Sequence, residues 1–176
     1  MGTFHHERYP DNLLLRMGYS FAAGDLITLV LNQNGEIMWN WGVGKDAGLP
    51  NQENILEYIT CANSVRNGIG KKYLIDGKMC KPLDIECEDK NILELEHGYV
   101  CGFPKVFTSC WKATDGCIGQ VVTNYNNEPV SIKIDTEKEL RILTDDGKTH
   151  IYKNGDTYTL NNLETVLIEI DKKADF

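Results

Sequence analysis

The sequence predicts an α+β fold that is mainly β, with an antiparallel β-sandwich as its C-terminal part. Three observations predict it. Strand-forming runs arrive every eight to twelve residues from Lys71 onward, with Gly, Asn and Asp turn residues between them. No stretch in that region keeps a helical period. Before it, Ile55, Leu56, Ile59, Ala62 and Val65 recur at three- and four-residue steps, which places them on one face of a helix.

Taken in order, Asp11 to Met17 (DNLLLRM) reads as one or two helical turns. In residues 19–42 two apolar runs flank Asn34-Gly35, a pair that suits a two-residue hairpin turn because both central residues must tolerate positive φ. The run Leu26 to Leu31 also suits a buried strand or a short helix, since periodicity does not decide a run this short. The helix over 51–67 has Asn51 as N-cap, Glu53 at the positive end of its dipole and Gly68 at a left-handed C′ position.

Strands are then expected at Tyr73 to Ile75, Leu83 to Cys87, Ile92 to Leu95, Tyr99 to Gly102, Lys105 to Trp111 and Ile118 to Tyr125. Further strands follow at Val130 to Ile134, Leu140 to Leu143, Thr149 to Lys153, Thr157 to Leu160 and Val166 to Ile170. Asp115-Gly116, Asn126 to Pro129, Asp145 to Gly147 and Asn154-Gly155 supply turns between them. In Val130 to Ile134 the apolar residues alternate with Ser131 and Lys133, so one face is core and the other water. So many short strands need a partner layer for their apolar faces, which favours a two-sheet sandwich over a closed barrel.

Composition limits the functions available. The 176 residues are 41% hydrophobic and 25% charged, enough apolar content for one globular domain or two small ones. The net charge of −8 is spread along the chain: residues 1–70 carry 4 Lys/Arg against 7 Asp/Glu, and residues 71–176 carry 14 against 19. Neither part forms a basic patch, so no nucleic-acid partner is expected. No stretch has the length of a membrane span and MGTFHHERYP lacks an apolar signal core, so the expectation is no membrane partner and a cytoplasmic chain as given. The six cysteines follow C-x18-C-x6-C-x13-C-x8-C-x6-C, without a C-x2-C pair. They are expected to be reduced, buried small hydrophobes, with a disulfide or a metal as the alternative.

Motifs for chemistry are sparse. Gly42-Val43-Gly44-Lys45-Asp46 and Gly68-Ile69-Gly70-Lys71-Lys72 lack the hydroxyl and spacing of a phosphate-binding loop, and no cofactor is expected. Neither a nucleophile elbow nor a zinc-protease motif occurs. His5 and His6 would point to opposite sides of an extended segment, so no metal is assigned to them. His6 and Glu7 are candidate contacts for a polar ligand at a loop rim. His97 and His150 read as surface or packed histidines. Asp25 and Glu7 are the carboxylates to inspect for glycoside cleavage, which needs two acids held across the bond. Trp39 and Trp41, two residues apart on an expected strand, face one side and offer a platform for a sugar or a base, with packing as the competing reading. Trp111 reads as core.

The succession GYSFAAGDLITLVLNQNGEIMWNWG, a helix, KKYLIDGKMCKPLDIE and PKVFTSCWKATDGCIGQVVTNYNNEPVSI resembles the C-terminal end of large bacterial glycoside-hydrolase-like proteins, a family of unknown function. In these a (β/α)8 TIM barrel precedes a small all-β domain. The resemblance implies that residues 1–70 are a short α/β segment from the end of a barrel and residues 71–176 a sandwich domain. A full barrel takes about 250 residues, more than this chain holds. The implied function is the C-terminal part of a carbohydrate-active protein, with the sandwich bracing the barrel and its cleft and the chain inactive alone. The alternative is a free-standing, non-catalytic sandwich that binds a glycan or a protein. The expected partners are an oligo- or polysaccharide, and a preceding barrel or a second copy covering apolar surface. A saccharide stacked on the tryptophan platform is expected to quench tryptophan fluorescence, and Trp39→Ala to remove the change; silence across a broad glycan panel would count against that platform.

Overall fold

The computed structural model of the chain describes residues 11–37, 52–87, 90–94 and 98–170. Helix α1 (Asp11–Ala22) is longer than its sequence suggests. It buries Leu14, Leu15, Met17, Phe21 and Ala22, a stripe at helical spacing. The helix ends at Gly24, whose φ of +91° suits glycine and whose missing side chain leaves room for the Trp111 ring: a Cβ there would lie 2.6 Å from the indole.

Of the hairpin expected over 19–42, residues 38–42 lie outside the described residues, and in its first arm Tyr19 to Ala22 continue the helix rather than begin a strand. A turn is present but is not the expected two-residue one: the Gly35 N–H bonds to the Asn32 carbonyl at 3.0 Å, which makes Gln33 and Asn34 the central residues, and Asn34 does not take positive φ. Asn32 Oδ1 accepts from the backbone N–H of Asn34 and of Glu36, both at 2.9 Å, and Gly35 takes φ +78°. Around it, among the described residues, the chain pairs at one antiparallel bridge, Leu31 to Ile37. Ile27 is buried and Leu29 packs against the same cluster, while Leu26, Val30 and Leu31 stay exposed.

Helix α2 (Gln52–Asn67) buries Ile55, Tyr58, Ile59, Ala62 and Val65, while Leu56 points outward. Its N-cap position lies outside the described residues. Gly68 does not take the left-handed conformation expected of it. The chain instead tightens through a Gly70 N–H bond to the Val65 carbonyl, 2.8 Å, into a single-turn helix α3 (Lys71–Leu74). That helix replaces the strand expected at Tyr73 to Ile75, and it presents Tyr73 and Leu74 to the core. Arg66 near the end of α2 donates to the Gly24 carbonyl at 2.8 Å, satisfying a backbone group just beyond α1.

Eleven strands follow among the described residues. They are β1 (Lys78–Cys80), β2 (Ile85–Glu86), β3 (Lys90–Glu94), β4 (Val100–Pro104), β5 (Val106–Lys112) and β6 (Ile118–Asn124). The remainder are β7 (Val130–Ile134), β8 (Leu140–Thr144), β9 (Thr149–Tyr152), β10 (Tyr158–Leu160) and β11 (Thr165–Ile170). All their pairings are antiparallel: a six-stranded sheet in the order β1-β5-β6-β11-β8-β9, a three-stranded sheet β10-β7-β2 and a two-stranded ribbon β3-β4. The α+β, mainly β class holds, and the arrangement is sandwich-like.

The large sheet is covered on both faces. Val106, Cys110, Ile118, Val122, Ile142, Val166 and Ile168 point to the three-stranded sheet and meet Val130, Ile132, Ile134 and Leu160 there. On the opposite face Val121, Leu167 and Leu143 meet α1, α2 and α3 in a second cluster. This double cover explains why all seven residues of β6 are buried. The helices of the first 70 residues therefore share a core with the sheet. Among the described residues no helix is long and apolar enough to cross a membrane.

Gly119 marks the closest approach of helix and sheet. The ring of buried Tyr73 lies over it, so that an added Cβ would stand 2.9 Å from three ring carbons. Gly119→Ala is expected to lower stability by about 1–3 kcal/mol through overpacking, read from the urea midpoint. An unchanged midpoint would mean that the ring does not rest on the strand.

Candidate functional site

A cleft of about 740 Å³ opens where the helical layer meets the β8–β9 end of the large sheet. Three segments line it. α2 contributes Glu57, Thr60 and Cys61 from the side of the helix next to its buried face. The β8–β9 turn contributes Asp145, Asp146 and Lys148, with His150 beyond it. Tyr158 on β10 and the β10–β11 loop, with Asn161, Asn162 and Glu164, form the remaining wall.

Two of these segments are held by their own hydrogen bonds. In the turn, Thr144 Oγ1 donates to Asp146 Oδ1 at 2.5 Å, and the Lys148 backbone N–H reaches the same oxygen at 3.2 Å. The Lys148 ammonium pairs with Asp146 Oδ2 at 2.5 Å. Gly147, at φ +82°, lets the chain reverse between them. These bonds, led by Lys148 and then Thr144, hold the Asp146 carboxyl well below the usual carboxylate range. In the loop, Glu164 Oε2 accepts from the Asn161 backbone at 2.6 Å and from its side-chain amide at 3.2 Å. Buried Asn124 donates to the Asn161 carbonyl at 2.7 Å, and Leu163, at φ +55°, donates its N–H to the Asn126 carbonyl at 3.0 Å. The loop is thus fixed to the sheet.

Two ionisable side chains of the lining are held in their protonated forms. Burial pushes the Cys61 thiol up to about 12; the Thr165 N–H, 3.4 Å away, pulls against this, and Asp145 and Glu164 add to it. A thiol so held is neutral near pH 7 and is no nucleophile. Tyr158 is also pushed up to about 12, by burial and by the charges of Glu164 and Asp146, so it keeps its hydroxyl proton. Its ring meets that of His150 edge-on, with centroids 5.8 Å apart. Asp146 is committed to its turn and Glu164 to its loop. Among the described residues no three His, Cys, Asp or Glu side chains gather as metal ligands would.

Of the residues singled out from the sequence, His6, Glu7, Trp39, Trp41 and His97 lie outside the described residues. Asp25 is exposed just after α1, its N–H bonded to the Ser20 carbonyl at 2.9 Å, and it does not line the cleft. His150 is exposed on β9 and does line it. Trp111 packs half-buried against the helical cluster and donates to Ser109 Oγ at 2.8 Å. Reading the sequence missed Cys61, Lys148, Tyr158, Asn161 and Glu164, which stand on separate elements without a shared motif. The only signal was Asp145-Asp146-Gly147, legible as a turn. No protein-family model matches this chain, and neither curated proteins nor solved structures gave a match.

The buried thiol has a consequence for stability. An unfolded cysteine ionises near 9.0, the folded Cys61 near 12, so the unfolded state sheds its proton first as pH rises. The stabilisation is therefore whole below pH 9.0 and lost towards pH 12, at about 1.4 kcal/mol per pH unit inside that window. Urea midpoints are expected to fall across that range, and less steeply in Cys61→Ala; parallel pH profiles of the two proteins would refute the assignment.

Proposed function

We propose that this chain is a non-catalytic binding module of a carbohydrate-active protein, taking a neutral, hydroxyl-rich saccharide in the α2/β8–β9 cleft. The observation that carries this reading is a cleft two of whose walls are fixed by their own hydrogen bonds, whose thiol is held neutral and whose carboxylates Asp146 and Glu164 already serve those walls. Such walls suit binding without reorganisation. Asn162, Asp145 and Thr60 offer donors and acceptors for hydroxyl groups, and Tyr158 an aromatic edge. Four acids, Glu57, Asp145, Asp146 and Glu164, face one lysine, a balance that repels anionic sugars. The sequence resemblance to glycoside-hydrolase-like proteins supports the same ligand class.

A second reading, contact with a preceding barrel or another protein, is favoured by the β3–β4 ribbon, where Ile92, Tyr99 and Val100 are each about two-thirds exposed (67%, 69% and 65%). Exposed apolar residues grouped on and beside a two-stranded ribbon suit a covered surface. α1 and α2 already cover the helix-side face of the large sheet, so a barrel would have to rest elsewhere.

Amide NMR titration with neutral and uronic oligosaccharides tests the proposal. Neutral sugars are expected to shift Lys148, Tyr158 and Asn161, uronic ones to leave them unmoved, and Asn162→Ala to weaken binding about threefold to tenfold, up to about 1.4 kcal/mol. A chain that ignores every saccharide at millimolar concentration would overturn the cleft assignment and leave the ribbon contact as the reading to pursue.

A further inference from the structure

The opposite edge of the large sheet carries two cysteines in register. β1 is three residues long and its neighbour in the sheet is β5; its last residue, Cys80, stands directly across from Cys110. The Cys80 thiol donates to Cys110 Sγ at 3.3 Å. Cys110 is buried in the core between the sheets, at 1% exposure, and Cys80 sits partly exposed at its rim. Chain 81–84 then leaves the large sheet for β2 in the small one. At that crossing the buried amide of Gln120 grips Leu83 twice, accepting from its N–H at 2.7 Å and donating to its carbonyl at 3.0 Å.

We propose that Cys80 and Cys110 form a redox-active dithiol, which a low-molecular-weight disulfide such as oxidised glutathione converts into a bond that staples edge strand β1 and the crossing behind it to the sheet. Directly opposed residues of an antiparallel pair hold their Cβ atoms about 4.5–5.5 Å apart, close to the span a disulfide needs. The sulfurs, 3.3 Å apart, must approach by about 1.3 Å. A three-residue strand with one neighbour moves that far more readily than a central strand.

The step balances as two exchanges. Cys80, the accessible thiol, loses its proton and attacks one sulfur of the oxidant, forming a mixed disulfide and releasing one thiolate that takes up a proton. Cys110 then attacks Cys80 Sγ, the Cys80–glutathione bond breaks, and the second glutathione leaves with the Cys110 proton. Two cysteine thiols are oxidised, and one glutathione disulfide is reduced to two thiols. Burial pushes the Cys110 thiol up to about 12, with the Cys80 contact adding to it, which assigns Cys110 to the second, intramolecular step.

Incubation of the folded chain with excess oxidised glutathione, then acid quench, unfolding and alkylation, tests this. Four labelled cysteines are expected in place of six, an unlabelled mass lower by about 2 Da, a cross-linked peptide joining Cys80 to Cys110, and a Tm higher by about 5–10 °C. In Cys110→Ala a glutathione adduct should be trapped on Cys80. Because that core variant carries a risk of misfolding, the partly exposed Cys80→Ser serves as the second: it should keep its circular dichroism and resist loss of any thiol pair. Six labelled cysteines in the treated wild-type chain, a cross-link through another pair, or unchanged pair formation in Cys80→Ser would each overturn the proposal.

Discussion

The structure depends on a single requirement: strands β6 and β11 have no side that faces water. Each residue of β6 is buried, as are five of the six residues of β11, so the large sheet needs an apolar layer on both faces. The three-stranded sheet supplies one layer and the helices the other. Neither cover is dispensable, because uncovering either face would expose a row of valines, isoleucines and leucines, each worth about 1.5–3 kcal/mol when fully buried.

The same requirement governs the polar residues on those strands. Thr123 and Thr165 lie on the helix-facing side with no exposure, and they are satisfied by one another at 2.8 Å and by Tyr58 of α2 at 2.9 Å. Burial, opposed in part by the Thr123 bond, raises the Tyr58 hydroxyl well above the ordinary tyrosine value, so the chain of hydroxyls is neutral throughout. On the other side, Gln120 spends its amide on Leu83 and on Thr108, and Asn124 holds the carbonyls of Glu128 and Asn161. Each of these four side chains on β6 and β11 thus ties its strand to a neighbouring segment, since leaving it unpaired would cost about 1–3 kcal/mol. The cleft arises where this cover ends. α2 packs on β11, and past its edge the β8–β9 turn and the β10–β11 loop stand around the opening. The cysteine pair lies at the other edge, on β1 and β5.

Legibility followed the range of the interactions. Val130–Ile134 emerges with the boundaries its alternation implies, buried at Val130, Ile132 and Ile134 and exposed between them. Gly116, Gly147 and Gly155 take the positive φ that their turns require. Both are local effects, written within a few residues. The front of the chain was less legible. Tyr19 to Ala22 looked like the start of a strand, yet Phe21 is wholly buried as part of a helix that packs on β5 and β6. β1, with the pattern Lys-Met-Cys, carries no alternation and exists because β5 offers it an edge.

By itself the sequence determined the mainly β class, the helix over 52–67, the turns, and most strand positions, because these rest on periodicity and on backbone preferences of single residues. Tertiary structure alone decided the three-layer stacking, the single-turn helix at Lys71–Leu74, the convergence of Cys61, Lys148, Tyr158 and Glu164 on one cleft, and the pairing of Cys80 with Cys110. Such contacts join residues up to about a hundred positions apart, as Cys61 and Thr165 show with a separation of 104. Strand order decides whether they meet, and strand order is set by which faces must be hidden from water.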